Sequence, residues 1–179
     1  LGKQLDIFMP NEKAGVGLQI FKPNGARVGR ALEEWLRKEL IRRGYEEIIT
    51  PHIYKSDLWK TSGHYDFYHD DMYFFETNEE EGSHAEYGVK PMNCPGHVLA
   101  YADDVHSYRD LPVRFFEFGT VYRHELSGVV RGLFRARGFT QDDAHLFCRE
   151  DQVVEETVKI LDLVDYIMNT FDLTYSAEI

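Results

Sequence analysis

Residues 121–147, VYRHELSGVVRGLFRARGFTQDDAHLF, carry Arg123, Arg131, Arg135 and Arg137, with one carboxylate, Glu125, in the first half. The second half runs with period two. On an extended strand Phe139, Gln141, Asp143 and His145 fall on one face, because successive side chains alternate. A core-facing wall would be apolar, and a solvent-facing wall would rarely mix a phenyl ring with an amide, a carboxylate and an imidazole beside four arginines. The stretch reads as a site for an anionic ligand that carries a flat ring. Arginine is permanently charged and offers a planar fork of donors suited to phosphate. Arg123 and Glu125, at i and i+2 on a strand, would share a face, and glutamate can accept from an exocyclic amine or a Mg²⁺-bound water. The plainer alternative is a surface ion pair, which is worth little. Arg131, Arg135 and Arg137 could hold terminal phosphates, or could form a solvated basic patch. The sequence has neither a Walker A string nor GxGxxG, so nucleotide binding would need a different fold from those two.

Cys94 and His145 are a candidate metal pair, since thiolate and imidazole both suit Zn²⁺. A buried free cysteine and a hydrogen-bonded histidine are the plainer alternative. His97 is a lesser candidate. Cys148 has compact spacing from His145, but on a strand the two would point to opposite faces.

The chain that must position these groups has 179 residues, 43% hydrophobic and 14% aromatic, which suffices for one domain with a sizeable core. Thirty-one acids against 20 Lys and Arg give a net charge of −11, which argues against a broad nucleic-acid surface while allowing a local basic pocket. Two cysteines are too few for a disulfide scaffold and point to a reducing cytoplasm. The first residues lack the apolar run of a signal peptide, and no stretch approaches the roughly 20 apolar residues of a membrane span.

The element order follows from periodicity and punctuation. Residues 16–21 form a strand, closed by Lys22-Pro23-Asn24-Gly25, and a helix covers 26–43 with Val28, Leu32, Trp35, Leu36 and Leu40 on one stripe and Gly44 as its C-cap. A strand at 45–50 stops at Pro51. Ser56-Asp57 caps a short helix ending near Gly63. Strands at 72–76 and 87–90 flank an acidic loop, 77–86, with Glu79, Glu80, Glu81 and Glu86 solvated. Asn93-Cys94-Pro95 opens a helix to about Ala102. Strands follow at 113–118, 120–125 and 137–147, the last two joined by a loop at 126–133. A long helix spans 151–171, with Val154, Val158, Leu161, Val164, Ile167 or Met168, and Phe171 on one stripe, and a strand begins at 174. Helices and strands do not alternate strictly, so an α+β fold, an antiparallel sheet flanked by helices, fits better than a doubly wound parallel sheet.

Two strings resemble the signature segments of threonyl-tRNA synthetase, a class II aminoacyl-tRNA synthetase. They are Lys90-Pro91-Met92-Asn93-Cys94-Pro95-Gly96-His97 and Arg137-Gly138-Phe139-Thr140-Gln141-Asp142-Asp143-Ala144-His145. Gly2-Lys3-Gln4-Leu5-Asp6 resembles the start of that family's catalytic domain, residues 26–51 its motif 1, Ser62-Gly63-His64 a following element, and residues 118–147 its motif 2 with Tyr122-Arg123-His124-Glu125. The resemblance implies the class II catalytic fold and threonine–tRNA ligase activity: ATP and threonine give threonyl-adenylate, and threonine passes to tRNA(Thr). It implies that Arg123 binds the α-phosphate and the threonine carboxylate and stabilises the transition state. It places Glu125 on the adenine amine, Phe139 under the adenine ring and Arg135 on the terminal phosphate. Met92, Gln141 and Asp143 would line the threonine site, Cys94 and His145 would hold Zn²⁺, and Mg²⁺ would accompany ATP. Coordination through the threonine hydroxyl would reject valine. A homodimer through the motif 1 region is implied too. Motif 3 and a third, histidine, zinc ligand fall outside this string. The chain is accordingly expected to be a single domain forming the N-terminal part of a catalytic core, weakly active or inactive and without tightly held zinc. A non-catalytic synthetase-like module for dimerisation or regulation is the alternative.

Overall fold

The computed structural model describes residues 1–63, 69–80, 83–176 and 178. His64, Glu81 and Ile179 of the sequence reading lie outside the described residues. The chain forms two compact units, Leu1–Val105 with Arg114–His145, and His106–Val113 with Leu146–Ile179.

In the first unit, β1 (Phe8–Pro10) and β2 (Gln19–Phe21) pair antiparallel. Helix α1 spans Pro23–Arg42, three residues earlier than expected, because Pro23 fits a first turn, where its missing N–H costs nothing. Its end is fixed by Gly44, whose φ of +84° is open to glycine. The Gly44 N–H donates to the Ile41 carbonyl at 3.0 Å and the Tyr45 N–H to that of Leu40 at 3.1 Å, the paired bonds of a Schellman stop. Leu40 is buried at the end of the expected stripe, whereas Val28 and Leu32 at its start are exposed.

Short β3 (Glu46–Glu47) runs parallel to β7 (Val113–Tyr122), and β8 (Gly138–Phe147) lies on the other side of β7. The Thr120–Thr140 hydroxyl contact and the Arg123 N–H to Arg137 carbonyl bond show β7 and β8 running antiparallel, since one number rises as the other falls. A second sheet has the order β4 (Ile53–Lys55), β6 (Ser83–Val89), β5 (Tyr73–Glu80), all antiparallel. The hairpin strands run well into the expected acidic loop: Glu76 pairs with Glu86 and Thr77 with Ala85. Backbone pairing that began at Tyr73 and Val89 carries on past Glu76 and Glu86. Helix α2 is Ser56–Thr61, with Ser56 inside it and Lys55 as its N-cap. Helix α3, Cys94–Ala102, has Pro95 in its first turn. Asn93 makes no capping bond there; its amide is used elsewhere.

The second unit contains a turn of 3₁₀ helix, Glu150–Gln152, and α4, Val153–Thr170. The Gln152 amide donates to the Leu111 carbonyl and the Arg149 guanidinium to that of Tyr108, each at 2.9 Å, fastening the short segment to the helix start. The buried positions of α4 are Glu156 and Leu163, while Val154, Val158, Leu161 and Phe171 of the expected stripe are exposed. Apolar residues lie on more than one side of this helix, so its periodicity did not single out the covered face. Residues 173–176 form no strand. Together the elements give an α+β fold of helices and sheets that are antiparallel except for the short parallel β3–β7 pairing.

Candidate functional site

Strand β8 carries the wall expected of it. Along it Phe139, Gln141, Asp143 and His145 are half-buried while Thr140, Asp142 and Ala144 are exposed. Its neighbour β7 ends at Tyr122, earlier than expected, so Arg123 and Glu125 do not share a strand face. The Glu125 N–H instead turns back to the Arg123 carbonyl at 2.8 Å. The two side chains consequently diverge. The Arg123 Nε donates to the Pro91 carbonyl at 3.0 Å, and its guanidinium carbon sits 5.4 Å from the centre of the Phe139 ring, a cation–π contact. Glu125 accepts from Arg135, Oε2 to Nε at 3.0 Å.

The loop before β8 is braced from within. Arg131 and Arg135 pair through their backbones, and the Arg137 Nε donates to the Glu125 carbonyl at 2.8 Å. Arg137 therefore holds the loop rather than projecting from it, while Arg135 is largely exposed. The Arg137 N–H also bonds the Gly17 carbonyl at 2.8 Å, which ties this loop to the chain just ahead of β2.

At the other end of the wall, the start of α3 packs against β8. The Asn93 amide donates to Asp143 Oδ2 at 3.0 Å, and His97 and His145 meet edge to face, ring centres 4.6 Å apart and Nδ1 atoms 3.1 Å apart. Asn93 is buried, and among the described residues its Oδ1 has no hydrogen-bond partner. It fits only because residue 119 of β7 is glycine: a Cβ there would stand 2.2 Å from Asn93 Oδ1. Cys94 and Met92 flank Asn93 and are both half-buried. Burial, and then the Asp143 carboxylate, push the Cys94 thiol above its ordinary value, with Arg123 pulling the other way. Cys148 belongs to the second unit.

Beneath this end lies a buried polar cluster that sequence reasoning missed. Lys90, fully buried, donates from Nζ to Glu117 Oε1 at 3.1 Å and to the Thr50 hydroxyl at 2.9 Å. Glu117 Oε1 also accepts the Thr50 N–H at 2.9 Å, and Oε2 lies 3.2 Å from His97 Nε2. Burial alone would raise the Glu117 carboxyl, but the Thr50 and Lys90 donors outweigh it and hold the group below its usual range. Burial, together with His145, pushes His97 down, so it stays neutral at physiological pH despite Glu117. The one sequence signal was a lysine and a glutamate, Lys90 and Glu117, beside or within otherwise apolar or aromatic strand runs.

The arrangement thus joins an arginine over an aromatic ring, a loop arginine paired to a carboxylate, and a polar end with thiol, imidazole, carboxylate and amide. It offers anion binding, ring stacking and two soft metal donors. Among the described residues no group of three or more His, Cys, Asp and Glu side chains could hold a metal ion. Cys94 and His145 fit zinc in donor chemistry and fall short of the three protein ligands of a catalytic zinc site.

The chain is similar to known threonine–tRNA ligases. The chain is 50% identical over all 179 residues to the threonine–tRNA ligase of Helicobacter pylori (strain Shi470), covering 28% of that protein. It is 51% identical over 171 residues to the threonine–tRNA ligase of Acidobacterium capsulatum, 96% of this chain and 24% of that one. The chain therefore spans about a quarter of the length of these relatives. A crystal structure described as the RNA binding domain of threonyl-tRNA synthetase from Cryptosporidium parvum Iowa II superposes with a TM-score of 0.88 at 42% identity, over 94% of this chain and 41% of that one. The tRNA synthetase class II core domain (G, H, P, S and T) matches residues 73–177, which include the whole of the β7–β8 wall, and the chain belongs to that family.

Proposed function

We propose that these residues are the part of a threonine–tRNA ligase that binds ATP and threonine for adenylate formation. The observation that carries the reading is the placement of Arg123 over Phe139 on a wall that continues through Gln141 and Asp143 to His145. Adenine would stack on Phe139 and give its amine to Glu125. Arg123 would bind the α-phosphate and the threonine carboxylate, meeting the charge that develops as the carboxylate attacks phosphorus. Arg135 would leave Glu125 for the terminal phosphate, and Mg²⁺ accompanying ATP would offset phosphate charge. Gln141, Asp143 and Met92 would line the amino-acid end. Cys94 and His145 would supply two donors to a zinc ion, which when bound would polarise the threonine hydroxyl and so discriminate against valine.

The tRNA partner and a cytoplasmic setting follow from the same reading; no described helix is long and apolar enough to cross a membrane. A homodimer through α1 and the chain after it is supported by exposed Val28, Leu32, Ile41, Ile49 and Ile53, an apolar set that water does not favour. The alternative, a non-catalytic dimerisation or regulatory module, would not need Arg123, Glu125, Phe139, Asp143, Cys94 and His145 together.

Threonine-dependent ATP–pyrophosphate exchange by the full-length protein tests the proposal. Exchange with threonine, its absence with valine, and its loss in Arg123→Ala are expected. A folded protein with no exchange and no ATP binding would favour the non-catalytic module.

A further inference from the structure

Both ring nitrogens of His97 are engaged, Nε2 by Glu117 Oε2 at 3.2 Å and Nδ1 by His145 Nδ1 at 3.1 Å. An ionised carboxylate only accepts, so the proton on the Glu117 side belongs to His97 Nε2. Between the two facing Nδ1 atoms there is room for one proton. Were it on His97, that ring would be a cation in a fully buried cluster where Lys90 already balances Glu117. An extra buried charge without a partner is costly. The proton therefore sits on His145 Nδ1 and His97 accepts it. The lone pair of His145 is left at Nε2.

We propose that Glu117, acting through His97, is a positioning residue that fixes His145 as its Nδ1–H tautomer and so keeps Nε2 bare for a soft divalent cation such as zinc. The cation rests on the metal reading of Cys94 and His145 above; the tautomer does not. Glu117 suits the task because it cannot rotate away. Its Oε1 is held by the Thr50 N–H and by Lys90, and its Oε2 accepts from the Thr50 hydroxyl at 2.9 Å while facing the ring. A metal-binding histidine whose other nitrogen is committed in this way is oriented before the metal arrives.

The test is the tautomer itself, read from long-range ¹H–¹⁵N spectra of the metal-free full chain. His145 with a protonated Nδ1 and a bare Nε2 supports the proposal; the reverse overturns it. In Glu117→Gln the amide nitrogen takes the Oε2 place, because the Thr50 N–H and the Lys90 ammonium at Oε1 can only donate whereas the Thr50 hydroxyl beside Oε2 can turn to accept, and the amide donates to His97 Nε2. Both rings then exchange tautomers, and zinc affinity measured by chelator competition falls by about 10–100-fold. Unchanged tautomers in a folded variant would overturn the proposal. Lys90→Met with Glu117→Gln removes the cation that the single variant strands, and gives the same readout if the single variant does not fold. Should the tautomer stand as stated while zinc fails to bind, the metal reading falls and the role of Glu117 remains.

Discussion

The Arg123 guanidinium carbon lies 5.4 Å from the centre of the Phe139 ring, so the residue proposed to bind phosphate covers the one proposed to stack on a base. A nucleotide entering here would exchange an arginine–ring contact for a base–ring contact. Stacking of a base on an aromatic side chain is worth about 1–3 kcal/mol. Phe139→Ala should therefore weaken ATP binding by roughly 5- to 150-fold, measured by calorimetry, with a smaller effect on threonine affinity. Equal losses for both ligands would point to a collapsed wall instead.

Glu125 and Arg135 form a pair whose arginine is largely exposed. Exposed pairs contribute about 0–1 kcal/mol. Arg135→Ala should leave the urea midpoint almost unchanged and raise the KM for ATP, because the role proposed for it begins when the pair opens. A large fall in stability would place the residue in the scaffold instead.

The buried cluster behaves in the opposite way. Lys90→Met or Glu117→Leu alone strands a charge out of water and should cost about 3–5 kcal/mol in urea unfolding. The double variant should recover much of that loss, because neither charge is then left alone. Additive losses would show that the two residues act independently.

How much of this was legible in the sequence depended on whether the deciding interaction was local. The β8 wall was legible because alternation is a local rule and the strand obeys it from Phe139 to His145. The stop at Gly44 was legible for the same reason. The end of β7 was not: Arg123 leaves the strand where its side chain reaches Pro91, a partner 32 positions away. The Glu117–Lys90 contact spans 27 positions, and nothing near either residue announces it. Asn93 looked like a helix cap and instead reaches Asp143, 50 positions on. The partly exposed stripes of α1 and α4 show the limit of helical periodicity, which tells that residues are apolar and not what covers them.

Gly119 permits the Asn93–Asp143 contact by having no side chain. Gly119→Ala would drive a methyl group into the Asn93 amide, and overpacking of this kind costs about 1–3 kcal/mol. The expected signature is a raised KM for threonine with ATP affinity kept, since Asp143 loses the donor that aims it while the Phe139 end is untouched. A change confined to ATP would contradict the division of the wall into two ends.

Glu39 on α1 is held at about 2 by the Arg42 and Arg43 guanidinium groups, against burial. Its folded value lies below the ordinary 4.5, so the stabilisation is fully present above the unfolded value and is lost as pH falls from about 4.5 to about 2. Glu39→Gln should lower stability at neutral pH and flatten the acid limb of a stability–pH profile over that window. An unaltered acid limb would mean that Glu39 titrates alike in both states.

The Glu117–Lys90 pair also guards the strand alignment. Side chains on a strand change face with every residue, so a slip of β7 by a single position would turn Glu117 away and present its neighbour, Phe116 or Phe118, to a buried ammonium group. Two aliphatic residues in the same places would tolerate such a slip at modest cost, as oil tolerates sliding. The charge makes the misalignment expensive in one step, and the same step would carry Arg123 and the whole anion-binding end out of phase with Phe139.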